Sequence, residues 1–319
     1  MAPGRFRPGA TSRIIGPTGN KVQPQGDDQL FFGVIERTQF GDVSALWATW
    51  SRSRVIGYGV HIFVVRGVMI DTGFPGVANE MRRVIANLRS RGATLRGAML
   101  THHHEDHAGN LRLLVDAGVP VAMDAETLER VRQPGRIGFY RHFTWKVMPP
   151  LLQTVTPFTD DTLSLIPTPG HCSNHHSVWD AETGTCFAGD LYLGARVRVA
   201  HSYEDPRAHV DSLRRIIARD PARVFCAHRG FVDRGVARLR AKADWLDELI
   251  GRVEQRLDAG QSDEQVRREL LGRLGRTHFM SAGDYSPRNL ITAIRNTRPN
   301  GSAVGTDPTA PPSAPRAHQ

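Results

Sequence analysis

The chain has 319 residues, 40% of them hydrophobic and only 7% aromatic, enough for one large aliphatic-cored domain plus an appendage. Its three cysteines, Cys172, Cys186 and Cys226, are too sparse for a disulfide framework, and no apolar run approaches the ~18 residues of a membrane helix. The formal charge is +9, but the arginines are scattered and often sit beside Asp or Glu, so they read as solvated faces and leave nucleic acid only as a runner-up partner.

Residues 1–27 are rich in Pro and Gly and are expected to form a flexible arm. They hold no apolar signal-peptide core, which points to a cytoplasmic protein. "VHIFVVRGVMIDTG" predicts two strands meeting at Arg66-Gly67, with Asp71 ending the second. Val77, Met81, Val84, Ile85 and Leu88 fall at helical spacing. "RGAMLT" is a short apolar strand running into "HHHEDH"; "GNLRLLVDAG" is a helix stopped by Gly118. "VPVAMD" follows as a strand and "AETLERVRQ" as a helix ending before Pro134. "TLSLIPTPG", "HSVWDA", "TCFAGDLYL" and "RVFCAH" predict strands, with "AHVDSLRRIIARD" a helix between the last two. This alternation implies an α/β core over residues 28–233.

From about residue 234 the strands stop. Leu239, Leu246, Leu249, Ile250, Val253 and Leu257 mark one face of a long helix. Ser262 and Gln265 form a capping box for a second helix, and a third is expected over about 287–296. A helical segment over 234–297 therefore follows the core, and the Pro-rich residues 298–319 are expected to be a disordered tail.

The chemistry concentrates at residues 102–107. Just after a strand, His102 and His104 point the same way by period-two alternation and can grip one ion, while His103 faces away and Glu105 is a spacer. A helix is expected to begin after residue 105, so that Asp106 and His107 in its first turn approach from another direction and can hold a second ion. Imidazole and carboxylate donors suit zinc, with iron or manganese as alternatives. Three further candidates follow predicted strands: His171, Asp190 and His228. His175 reads as support for the site. His61, His142, His201, His209, His278 and His318 are assigned nothing, and Cys172 is read as a turn filler.

In their order, "IDTG", "THHHEDH", "PTPGH", "AGD" and "AHRG" resemble the metallo-β-lactamase-fold hydrolases over roughly residues 30–233, and "THHHEDHAGN" is similar to the glyoxalase II-like branch. The resemblance implies a four-layer αββα sandwich with a C-terminal helical appendage and two divalent metal ions at one edge of its sheets. By motif, His102, His104 and His171 would hold the first ion, and Asp106, His107 and His228 the second. Asp190 would bridge, and Asp71 would be a supporting residue. The oxygen-reducing di-iron members typically carry Glu where His104 stands. "GHCSNH" departs from that family's usual turn, and no motif in the helical segment matches a glutathione grip.

The reading that follows is a dinuclear hydrolase. Its metal-bridging hydroxide, oriented by Asp106 or Asp190, would cleave a small ester, thioester or lactone. A phosphodiesterase or ribonuclease, and a mononuclear-iron sulfur dioxygenase, are the rivals. Substrate contacts are sought in "GRIGFYRHFTWKVMPPLL", at Phe139, Tyr140, Phe143 and Trp145. Oligomeric state is not legible.

Overall fold

The computed structural model describes residues 33–90 and 95–298. The expected N-terminal arm, and the expected tail beyond Arg298, lie outside the described residues. Six strands form the first sheet: β1 (Val34–Phe40), β2 (Val43–Thr49), β3 (Val60–Val65), β4 (Val68–Ile70), β5 (Gly97–Met99) and β6 (Val121–Ala122), in that spatial order. Strands β1 to β4 pair antiparallel, and β4, β5 and β6 pair parallel. The second sheet holds β7 (Leu163–Pro167), β8 (His176–Asp180), β9 (Thr185–Phe187), β10 (Arg223–Cys226) and β11 (Gly230–Phe231). Helices α1 (Ser51–Val55), α2 (Ala78–Ser90), α3 (Leu111–Asp116), α4 (Ala125–Arg132) and α5 (Phe139–Trp145) lie along the first half. Helices α6 (Pro206–Ile217), α7 (Gly235–Asp258), α8 (Asp263–Leu271), α9 (Arg276–Met280) and α10 (Pro287–Asn296) follow.

Strand alternation builds the layers. Phe63, Val65, Val68, Ile70 and Met99 turn one way and pack against Leu163, Val178, Phe187 and Phe225 of the second sheet. Their neighbours Ile62, Val64, Met69 and Ala98 turn the other way, onto Met81 and Ile85 of α2 and Leu111 and Leu114 of α3. The second sheet's outer face, with Cys186, Val224 and Cys226, meets Leu213 and Ile216 of α6 and Leu239 and Ala243 of α7. The result is the αββα sandwich, with two sheets facing each other and helices on both outer faces. A separate cluster joins Val210 of α6 to Leu246, Ile250 and Val253 of α7, Val266 of α8, and Leu290, Ile291 and Ile294 of α10.

Several local expectations meet their counterparts. The Ser262–Gln265 capping box starts α8, where both reciprocal bonds form. Helix α10 spans Pro287–Asn296, with Ser286 accepting from Arg288 N–H at its start. Others need correcting. "TCFAGDLYL" is a strand only over Thr185–Phe187, because Gly189 turns the chain at φ 50°. The edge strand β1 had no apolar alternation to find, and its middle is exposed. Among the described residues no helix is long and apolar enough to cross a membrane.

Candidate metal centre

The chemistry-bearing side chains gather at one edge of the sandwich. Asp71 follows β4, His102 to His107 follow β5, His171 follows β7, Asp190 follows β9 and His228 follows β10. Strand ends and tight turns place all of them, which is why they can be far apart in sequence and adjacent in space.

The loop from 102 to 110 differs from the expectation. Strand β5 ends at Met99, and α3 begins only at Leu111, so Asp106 and His107 lie in a turn rather than in a helix. The cause is Thr72. Its backbone N–H and its hydroxyl both donate to the His107 carbonyl, at 2.7 and 2.8 Å, which removes that carbonyl from helical bonding. Asn110 locks the same seam, donating from Nδ2 to the carbonyls of Thr72 and Phe74. Gly109 has no room for a side chain: a Cβ would sit 2.1 Å from the Glu105 carbonyl oxygen and 2.5 Å from Pro75 Cδ. Gly109→Ala should therefore destabilise the chain by ~1–3 kcal/mol through overpacking. Gly251→Ala, in α7 with nothing within 4 Å, should stabilise by roughly 0.5–1 kcal/mol. Urea unfolding of the two variants checks the contrast, and equal shifts would refute it.

Every imidazole of the cluster has one nitrogen committed outward. His102 Nδ1–H donates to the Thr101 hydroxyl at 3.0 Å, and that hydroxyl donates in turn to Asp71. His107 Nδ1–H donates to Asp71 Oδ2 at 2.8 Å. His228 Nδ1–H donates to the Gly59 carbonyl at 2.7 Å. His104 Nε2 lies 3.1 Å from the Tyr203 hydroxyl, and His171 Nδ1 lies 3.7 Å from Glu204. With those nitrogens turned outward, His102 Nε2, His104 Nδ1, His107 Nε2, His171 Nε2 and His228 Nε2 face inward. His104 Nδ1 and His171 Nε2 face each other at 3.0 Å.

Ligating atoms of His102, His104 and His171 lie within 4.8 Å of one another, as do those of His102, His107 and Asp190, and those of Asp106, His107 and His228. Asp190 sits between the groups. Its Oδ1 is 3.4 Å from both His107 Nε2 and His228 Nε2, and its Oδ2 is 3.4 Å from His171 Nε2. Three buried atoms pointing into this space, His102 Nε2, His107 Nε2 and Asp190 Oδ1, have no hydrogen-bond partner. Unsatisfied buried polar atoms cost about 1–3 kcal/mol each, and converging imidazole and carboxylate donors are what a divalent cation needs. The residues fit the metal.

Electrostatics agree. Burial holds His102 and His104 well below the usual imidazole value, so they are neutral donors. Burial also opposes charge on His107, yet Asp190, Asp106 and Asp71 push it up to about 10. His228 is likewise buried, and Asp190 and Asp106 raise it well above its usual value. The second half of the cluster therefore demands positive charge, which a cation supplies in place of protons.

Sequence reasoning named His175 as support but missed other contacts around the cluster. His175 accepts the Asp190 N–H at Nε2, 3.0 Å away, so its lone pair holds the Asp190 backbone. Gly189 is required there, since a Cβ would meet that nitrogen at 2.7 Å. The Leu191 carbonyl accepts from His209 Nε2 and from Lys242 Nζ, both at 2.8 Å. Lys242 belongs to α7, so the helical segment reaches the Asp190 turn. It is one of only three lysines, with Lys21 and Lys146, in an arginine-rich chain, the one signal that could have found it. His61 donates its backbone N–H to the Ala227 carbonyl beside His228. His201, also assigned nothing, stacks on Tyr203 at 5.1 Å. Glu105 is no spacer: it makes a buried ion pair with Arg141. His103, expected to face away, has Nδ1 2.9 Å from Asn174 Oδ1, yet its ligating atoms also lie within 4.8 Å of those of His104 and Cys172.

The aromatic segment 135–152 holds α5, and its two faces differ. Phe139 and Phe143 are exposed, with ring centroids 6.5 Å apart. Tyr140 reaches inward, its hydroxyl 3.3 Å from His201 Nε2. Trp145 is buried against Phe74 at 4.8 Å and lies 6.4 Å from the His228 ring.

Residues 56–228 match the family model of the metallo-beta-lactamase superfamily. The chain is similar to the beta-lactamase-like protein 2 homolog of Caenorhabditis elegans, 25% identical over 237 residues, covering 67% of this chain and 72% of that protein. It is also similar to a hydroxyacylglutathione hydrolase of Thermosynechococcus vestitus, 28% identical over 170 residues, covering 53% of this chain and 63% of that one. Among solved structures, a metallo-beta-lactamase family protein from Thermus thermophilus superposes with a TM-score of 0.55 at 19% identity, over 80% of this chain and 91% of that one. That last likeness speaks for the fold.

Proposed function

This chain belongs to the metallo-beta-lactamase superfamily, as a metal-dependent hydrolase, and from that premise we propose that it cleaves a small ester, thioester or lactone at a two-metal site. The observation that carries the reading is the convergence of His102 Nε2, His107 Nε2 and Asp190 Oδ1, buried and without hydrogen-bond partners. His102 Nε2, His104 Nδ1 and His171 Nε2 would hold one cation, and Asp106, His107 Nε2 and His228 Nε2 the other, with Asp190 between them. When bound, two divalent cations, zinc first and iron or manganese as alternatives, supply Lewis acidity and make a water acidic enough to attack near neutral pH.

The chain's own groups supply the rest. Asp106 is the carboxylate placed to orient the attacking water and accept its proton, with Oδ2 3.3 Å from His228 Nε2. Asp190 shares that task from the end of β9 in the second sheet. Asp71 fixes His107 and, through Thr101, His102, so that one buried carboxylate orients donors of both groups. Phe139, Tyr140 and Phe143 are the α5 surfaces proposed to meet a small-molecule substrate, while the burial of Trp145 supports a packing role for it.

Elemental analysis of protein purified without added metal, followed by a substrate panel, tests this. About two zinc ions per chain and turnover of a thioester or lactone are expected, with Asp106→Asn losing most of that turnover. Cleavage of bis-p-nitrophenyl phosphate alone would turn the reading to a phosphodiesterase. One iron per chain with oxygen uptake would turn it to a sulfur dioxygenase.

A further inference from the structure

We propose that Arg141 and Tyr203 are positioning residues for the first cation, holding His104 through a buried relay that also docks α5 on the ligand loop. The inference rests on the two-metal reading above.

The relay starts at Glu105, which stands in sequence between His104 and Asp106. Arg141 donates from Nε and Nη2 to the same oxygen, Glu105 Oε2, at 3.1 and 2.6 Å. Both side chains are under 10% exposed, so each charge depends on the other. The remaining arm, Nη1, donates to the Tyr203 hydroxyl oxygen at 3.3 Å. That oxygen also lies 3.1 Å from His104 Nε2, which would donate to it when Nδ1 holds the cation. The same ring presents Nδ1 to the cluster, 3.0 Å from His171 Nε2. The Tyr203 ring is fixed from behind by the stack onto His201, interplanar angle 3°, and by His201 onto Tyr285 at 4.7 Å. A lysine at 141 offers one compact ammonium and cannot reach the carboxylate and the phenol as a planar fork does.

The same helix contacts the other half of the cluster. Trp145 lies beside His228, and Trp50 Nε1–H donates to the Thr144 carbonyl to hold the helix C-terminal turn. Helix α5 is thus a structural partner of both metal positions on its inner face, whatever its outer face meets.

The test uses the full chain and zinc itself. Tyr203→Phe keeps the stack on His201 and removes only the hydroxyl. Competition with a chromophoric chelator should show one of the two zinc ions held ~10–100-fold more weakly and the other unchanged. The unfolding midpoint of the metal-free protein should stay near wild type, and the visible spectrum of the cobalt-loaded variant should shift. Arg141→Lys should move affinity the same way, and Tyr203→Phe decides alone if that variant does not fold. Two unchanged zinc affinities and an unchanged cobalt spectrum in folded Tyr203→Phe, beside a wild type that takes two ions, would overturn this inference only. A wild type that takes no metal would overturn the two-metal reading and this inference with it.

Discussion

Asp190→Asn should yield a folded protein that holds about one divalent ion fewer per chain and turns over substrate far more slowly. The position of the residue argues for both halves of that result. Its backbone is fixed from outside the site: the N–H by His175, and the next carbonyl by His209 and Lys242. None of those bonds uses the carboxylate, so the turn survives the substitution. The carboxylate instead lies 3.4 Å from His107, His171 and His228, and so touches both halves of the cluster. Neutralising it removes the anion on which burial is offset by His228 and His107, and which those groups in turn hold well below the usual carboxylate range. Loss of a partner outside the ligand set costs ~10–100-fold in metal affinity or activity, and loss of this shared carboxylate should exceed that. Metal content by elemental analysis and kcat/KM on the best panel substrate decide it. Two retained ions with wild-type turnover would remove Asp190 from the centre.

Phe225→Ala should be the most destabilising core truncation near the site, at ~3–5 kcal/mol. The ring is fully buried between the sheets and meets Phe187 at 5.4 Å, Phe63 at 5.3 Å and Phe40 at 5.6 Å. Neighbours fixed in two different sheets cannot collapse into the space it leaves. It also lies on β10, three residues before His228, so the cavity loosens a candidate ligand. Since whole-domain stabilities run about 5–15 kcal/mol, the variant should sit near its unfolding threshold. Phe231→Ala is the control: that ring joins the same cluster but is 42% exposed, and its loss should cost about 1 kcal/mol or less. Urea midpoints measure both, and similar shifts would show that the sheet-to-sheet packing does not carry the stability assigned to it.

How much was legible depended on distance along the chain. The capping box at Ser262 and Gln265 and the start of α10 at Pro287 were readable because the bonds that make them join residues two or three apart. The buried strands β3 and β4 were readable because burial on both faces leaves runs that are apolar apart from His61. Strand β1 was not, since its polar residues face water and only pairing with β2 makes it a strand. The start of α3 was misplaced for a related reason: Thr72, more than thirty residues away, takes the carbonyl a helix would have used.

By itself the sequence determined the donors. Side-chain chemistry is local, and His102, His104, Asp106, His107, His171, Asp190 and His228 carry their lone pairs and charges in any conformation. Only the tertiary structure decided which nitrogen of each imidazole faces inward, because Asp71, Gly59 and Tyr203 set that by hydrogen bonds across 36, 169 and 99 residues. It likewise decided that Glu105 has a partner and that Lys242 reaches the Asp190 turn. A hydrogen bond is fixed by proximity and angle at a few ångströms, and sequence separation carries no information about either until the sheets have formed.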